Sequence, residues 1–329
     1  MLPRRDYEFL ASVWFAEVSS ATMITMTHDS VIATTRPVDP GPVGIWAFLD
    51  FVPATLAGEY VAELGELGYG AVWIPEAVGR EVLSASALLL AASERIVVAT
   101  GIASIWARDA MAMAGGLKTL TEAFPGRFLL GMGVSHQPAV DFLRGQTYDK
   151  PLARMRTYLD AMDASMFMAV EPTQTPQRML AALGPKMLEL AGERTAGAHP
   201  YFVPVEHTQF ARTVLGAGPL LCVEQAVVIE SDPQKARAIG RRHMSMYLGL
   251  ENYTNNLKRL GWTDEDIAGG GSDALVDAIV AWGGIDSVVE RVSAHHDAGA
   301  DHVCLQVFGE DEAAVPIEMW RELASALIG

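Results

Sequence analysis

From Val43 to the C-terminus, short apolar runs alternate with stretches whose apolar residues recur every three to four positions. The short runs, many rich in β-branched residues, read as strands, and the periodic stretches as helices with one buried face. Eight strands are predicted, over Val43–Leu49, Ala71–Ile74, Arg95–Ile102, Arg127–Gly133, Met179–Leu183, Ala198–Phe202, Leu220–Ile229 and His302–Phe308. Helical segments are predicted between them, and local signals mark their ends. Gly68 closes the first helix, Pro125-Gly126 breaks the third, Gly184-Pro185 opens another, and Ser231-Asp232-Pro233 caps one that runs to about Leu248. Tyr253–Ala281 reads as a helical insertion with a hinge at Gly269-Gly270-Gly271.

Eight parallel strands, each followed by helix, predict an α/β fold closed into a (β/α)8 TIM barrel with insertions. Apolar strands fit a sheet covered on both faces, whereas an open doubly wound sheet commonly has fewer strands. One barrel domain is expected over 43–329. The preceding residues, 1–42, differ. Arg4 and Arg5 precede an apolar stretch from Phe9 to Phe15, as in a signal peptide, but Glu17 interrupts it and no A-x-A site follows. A loosely ordered leader is expected there, or a true start at Met23 or Met26.

Composition narrows the class of function. Forty acidic against 24 basic residues give a formal charge of −16, which disfavours nucleic acid and anionic membranes as partners. No run of 18 uninterrupted apolar residues spans a membrane. The two cysteines, Cys222 and Cys304, lie inside apolar runs and read as buried thiols, which fits a cytoplasmic compartment. No metal is expected: Cys/His spacing for zinc is absent, and the adjacent pair His295-His296 points in two directions on a helix.

In a barrel of this type the site lies at the C-terminal ends of the strands. That rule selects Trp46, Phe48 and Asp50; Glu76; Gly101, Ile102 and Ser104; Ser135, His136 and Gln137; Gly184, Pro185 and Lys186; Tyr201 and His207; and Gln306 and Glu310. Bland readings compete: Trp46 as barrel filling, Glu76 and His136 as helix caps, His207 as a surface residue. The Walker, GxSxG and HExxH motifs are absent, and Gly131-Met132-Gly133 lacks the third glycine of a dinucleotide fingerprint. The selected residues describe a glycine-rich, partly aromatic mouth with few charges. Gly101, Gly131, Gly133 and Gly184 let backbone approach a flat ligand, and Gly184-Pro185-Lys186 at a helix start offers amides and an ammonium to a phosphate.

The segments VGIWAFL, AVWIPE, RIVVATGI, PGRFLLGMGVSH and AALGPKMLELAGERTAGAHPYF resemble the bacterial luciferase-like superfamily. Within it they are most similar to the actinobacterial branch that uses the deazaflavin coenzyme F420. The resemblance implies an F420-dependent oxidoreductase acting on a small organic substrate, with an FMN-dependent monooxygenase and a non-catalytic flavin-binding barrel as alternatives. It implies a bulge at Gly101-Ile102, often with a non-prolyl cis peptide, behind the cofactor ring. Gly184, Pro185, Lys186 and Met187 would line the phosphate; Trp46, Gly133 and Ser135 would complete the cofactor site. Glu76 falls where relatives carry an acid near the ring, and His136 is the expected proton-exchanging group. Sugar-phosphate dehydrogenases of the branch carry a histidine after the strand-two acid; here that position is Ala77, which argues against such a substrate. Relatives are often homodimers, so a homodimer is the expectation.

Overall fold

A computed structural model of the chain describes residues 38–311 and 314–329. Its strands are β1 (Val43–Trp46), β2 (Ala71–Ile74), β3 (Val97–Thr100), β4 (Ala103–Ser104), β5 (Phe128–Gly133), β6 (Arg178–Leu180), β7 (Gly197–Ala198), β8 (Leu220–Ile229), β9 (Val280–Gly283) and β10 (His302–Phe308). All pairings are parallel. β10 pairs with both β1 and β8, which closes the sheet into a (β/α)8 TIM barrel.

Two stretches belong to one stave of that barrel. Val98 and Ala99 of β3 face Phe128 and Leu129 of β5, and Ala103 and Ser104 of β4 face Met132 and Gly133. Four steps on one side oppose three on the other, so one extra residue is accommodated between them as a β-bulge at Gly101-Ile102.

The helices wrap the outside: α1 (Ala54–Glu66), α2 (Val82–Ala92), α3 (Ala110–Ala123), α4 (Pro151–Asp163), α5 (Pro185–Arg194), α6 (Val205–Leu215), α7 (Pro233–Tyr247), α8 (Glu251–Arg259), α9 (Asp264–Ile267), α10 (Asp273–Ile279), α11 (Ile285–Asp297) and α12 (Ile317–Leu327). Asp109 and Asp232 accept amide hydrogens at the starts of α3 and α7, satisfying donors that a helix end leaves open. Strand residues alternate between two environments, because successive side chains point to opposite faces. Ile45, Val72, Val98, Leu130, Val223 and Leu305 pack outward against the helices. Trp46, Trp73, Ala99, Leu129, Met179, Cys222 and Cys304 fill the interior. Helices α7, α8 and α10 build a third cluster with Ala226, Val228 and Val280 at the far end of β8.

The interior is solid below the mouth. The Trp73 indole donates to His302 Nε2 at 2.9 Å, and His302 Nδ1 donates to Gly41 O at 2.7 Å. His199 stacks on Trp73 at 4.2 Å and donates from Nδ1 to Cys222 O at 2.8 Å. Burial holds both imidazoles down to about 4, so both are neutral.

Several expectations are corrected. Val280–Gly283 is a strand, not part of the helical insertion: β9 pairs with the upper half of β8, beyond the point where β7 ends. Most predicted strands also overshoot. Ala47–Leu49, Ala181–Leu183 and His199–Phe202 continue past the paired residues, where their apolar character serves the mouth instead of the ladder. Of the segment 1–42, residues 1–37 lie outside the described residues; Val38 packs into the interior cluster. Among the described residues no helix is long and apolar enough to cross a membrane.

Candidate functional site

A cavity of about 1670 Å³ opens at the C-terminal ends of the strands. Ligand pockets commonly run ~300–1,000 Å³, so this one has room for two molecules. It receives Trp46, Glu76, Gly101, Ile102, Gly133, Ser135, His136, Gly184 and Met187 among the residues selected from sequence, together with Phe48, Tyr201 and Gln306. Pro185 and Lys186 do not line it, and the Lys186 side chain is exposed.

One half of the mouth is made of backbone. The Gly101-Ile102 peptide is cis. Gly101 N donates to Ile74 O at 2.8 Å, and Ile102 O accepts from Glu76 N at 3.3 Å, so β2 holds the bulge from one side. The Glu76 carboxylate accepts from Ser104 N at 2.8 Å and pairs with Arg108, which also reaches Glu81 at 2.6 Å. Glu76 is thus spent on bracing the bulge. On the other side, glycines make way for it. A β-carbon on Gly131 would stand 2.0 Å from Thr100 O, and one on Gly133 would stand 2.6 Å from Ile102 Cδ1. These glycines admit the bulge itself, and Gly133 also lines the cavity.

The start of α5 faces the same cavity. Gly184 is its N-cap and no side chain caps it. Pro185 has no amide hydrogen and Met187 N donates to Gly184 O at 3.1 Å, so the Lys186 amide and the helix dipole are what favour an anion there. The nearby cation is Arg259 of α8, whose guanidinium lies 3.6 Å from where a Gly184 β-carbon would stand. Sequence reasoning placed Lys186 in that role and missed Arg259, because nothing local ties an insertion helix to a loop 75 residues earlier.

Ser135, in the left-handed region at φ 58°, turns the chain at the end of β5 and carries His136 to the rim. His136 Nδ1 lies 3.2 Å from Asn252 Oδ1. An amide oxygen only accepts, so Nδ1 carries the proton and Nε2 is left as an acceptor. Burial lowers the His136 pKa, partly offset by the Asn252 bond, so the ring is neutral at pH 7.

The other half of the mouth is aromatic. Tyr201, Tyr247, Tyr253, His243 and Phe308 line it, with Tyr201 5.5 Å from Trp46 and Tyr253 5.4 Å from His136. Phe202 sits at φ 58°, an uncommon conformation for a bulky residue, and its amide is held by the buried Glu224 carboxyl at 3.0 Å. That clamp sets the chain from which Tyr201 enters the cavity. Burial pushes Glu224 up to about 8. Tyr201 and Gln306 were selected as strand-end residues; Tyr247, Tyr253 and His243 belong to α7 and α8 and were not. His207, expected at the surface, is fully buried and reaches Leu183 O at 2.9 Å. Among the described residues no cluster of three His, Cys, Asp or Glu is arranged to hold a metal.

A closed barrel with its cavity at the strand C-termini, a bulge in its third stave and an open helix start beside it define a class of barrel enzymes. The chain belongs to the luciferase-like monooxygenase family, whose model matches residues 43–302. A Mycobacterium tuberculosis chain assigned to the coenzyme F420-dependent oxidoreductases is 25% identical over 303 residues, covering 73% of this chain and 87% of that one. A 5,10-methylenetetrahydromethanopterin reductase of Methanolobus tindarius is 32% identical over 196 residues, 52% of this chain and 60% of its own length. Among solved structures, an F420-dependent secondary alcohol dehydrogenase in complex with an F420-acetone adduct superposes with a TM-score of 0.71 at 13% identity, covering 88% of this chain and 99% of that one. The oxygenating constituent of 3,6-diketocamphane monooxygenase from Pseudomonas putida, in complex with FMN, gives a TM-score of 0.62 at 16% identity, covering 87% and 96%. At those identities the structural likeness speaks for the fold.

Proposed function

We propose that the chain is a coenzyme F420-dependent oxidoreductase that transfers a hydride between the deazaflavin and a small organic substrate. The observation that carries this is convergence: the Gly101-Ile102 bulge and the open start of α5 with Arg259 border one cavity. The first offers a surface to a flat ring and the second offers a cation and a helix dipole to a phosphate, so the residues fit such a cofactor. The relative from M. tuberculosis supports F420 as the carrier.

When bound, the deazaflavin gives or takes a hydride at a ring carbon. The chain supplies position and electrostatics. Gly101 and Ile102 would back the ring, with Trp46, Gly133 and Ser135 around it. The helix start at Gly184, with Pro185, Lys186 and Met187 in its first turn, would hold the phosphate through the helix dipole and the Lys186 amide, together with the Arg259 guanidinium. Glu76 keeps the bulge in place through Ser104 and Arg108. His136, neutral and with Nε2 open, takes the proton that leaves an oxidised substrate and returns it in the reverse direction.

Fluorescence-quenching titrations with F420 and with FMN test the cofactor. Binding of F420 at least about tenfold tighter than FMN is expected; the opposite order would favour the monooxygenase reading. With a turned-over substrate in hand, His136→Ala is expected to slow turnover about 100-fold, in the range of general acid–base catalysis, and to leave F420 affinity nearly unchanged. Unchanged turnover would remove the proton role from His136.

A further inference from the structure

We propose that the aromatic half of the mouth binds an apolar carbonyl compound or the corresponding alcohol, its single oxygen seated on the Tyr247–Tyr201 hydroxyl pair. The proposal rests on the oxidoreductase reading, to which it adds the substrate class.

The hydroxyl pair is built from two separate elements. Tyr201 follows β7, and its hydroxyl lies 2.8 Å from that of Tyr247 on α7. Tyr201 donates in turn to Gln306 Oε1 at 2.7 Å, from β10. Both rings line the cavity. With Tyr201 donating to Gln306, its oxygen accepts from Tyr247. Tyr247 therefore holds a proton on a rotor and two oxygen lone pairs. Left as it is, Tyr247 accepts from an alcohol O–H; turned away from Tyr201, it donates to a carbonyl oxygen. The same pair serves both redox states of one substrate.

The surroundings say what the rest of the ligand is. Around the pair stand Tyr253, 5.2 Å from Tyr247, His243, 5.1 Å from Tyr247, and Phe308, 4.1 Å from His243. His243 is held neutral by burial, down to about 3, and the Glu224 carboxyl behind the wall is mostly protonated at pH 7. The rings carry no charge, and Arg242 of α7, which lines the same cavity, turns its guanidinium to Gly309 O at 3.3 Å and Glu310 O at 3.4 Å, so a charged ligand finds little compensation for lost hydration among the rings. Elsewhere in the cavity lining, Phe51, Val78, Leu143 and Met246 are 68–79% exposed. They come from two loops, the π-helical turn Ala139–Leu143 and α7, and give an apolar remainder a surface to lie on.

The test uses the full-length chain without cofactor and trans-4-(dimethylamino)cinnamaldehyde, an elongated apolar aldehyde. Its visible band moves to longer wavelength when its carbonyl oxygen accepts a hydrogen bond. Saturable binding with a red shift is expected. Tyr247→Phe keeps the ring and is expected to abolish the shift and weaken binding about three- to tenfold, the loss of one hydrogen bond. Tyr201→Phe removes the acceptor that competes for the Tyr247 proton and is expected to keep the shift, and the thermal melt of each variant reports whether the fold is intact. No saturable binding, or a shift and affinity that survive Tyr247→Phe, would overturn the proposal. Because no cofactor is added, a chain that prefers FMN still answers this question, so the two readings fail separately.

Discussion

The two halves of the mouth are built by different means. The half around Gly101 is backbone: a bulge, two glycines that admit it, a helix start, and a carboxylate that braces it from behind. The half around Tyr247 is side chain: aromatic rings on α7, α8 and the end of β7, joined by hydroxyl contacts. Backbone cannot be exchanged by substitution, so the first half suits a fixed partner. Side chains can, so the second half can be re-cut for a new ligand without disturbing the first.

Substitutions can break or sharpen that contrast. The largest effect is expected at Gly131→Ala, where the added carbon meets backbone, not a movable side chain. A loss of about 3 kcal/mol in chemical denaturation, with F420 binding abolished, is expected from overpacking of this kind. Glu76→Gln removes the charge that Arg108 faces, while Glu81 remains. It should cost about 2 kcal/mol, less than a buried pair left wholly uncompensated, and loosen cofactor binding while the tyrosine pair stays intact.

His243→Phe acts on the other half and in the other direction. His243 Nε2 is buried without a partner among aromatic rings. Removing it should stabilise the chain by about 1 kcal/mol at pH 7. The gain should grow on acidification. With the folded pKa near 3, the unfolded chain takes up a proton below about 6.5 that the folded one refuses, so wild-type stability falls with pH there. The Phe variant escapes that loss, about 1.4 kcal/mol per pH unit, and paired melts at pH 7 and pH 5 would show it. The smallest effects separate two cations: Arg259→Ala should weaken F420 about fivefold, the upper end for an ion pair made by an exposed side chain, and Lys186→Ala should change it less than about twofold.

The same contrast explains what could be read from the chain beforehand. The backbone half announces itself locally. RIVVATGI, GMG and GPK place glycine and proline where a strand must end or a helix must begin, and strand counting sets them on one rim. The aromatic half has no such punctuation. Tyr247 and Tyr253 stand in a helical insertion with ordinary periodicity, and only packing brings them to Tyr201. β9 was hidden for a related reason: α10 ends at Ile279 and β9 begins at Val280, with no glycine or proline between them. Lys186 drew attention because it sits beside the helix start in sequence, while the guanidinium that reaches Gly184 arrives from residue 259.

Among the described residues, the packed floor formed by Trp73, His199 and His302 closes the barrel interior beneath its mouth. Whatever lodges deepest must arrive first and depart last. On the proposed function, two ligands that share such a vestibule queue, so steady-state kinetics should follow a compulsory order, with one of them admitted ahead of the other.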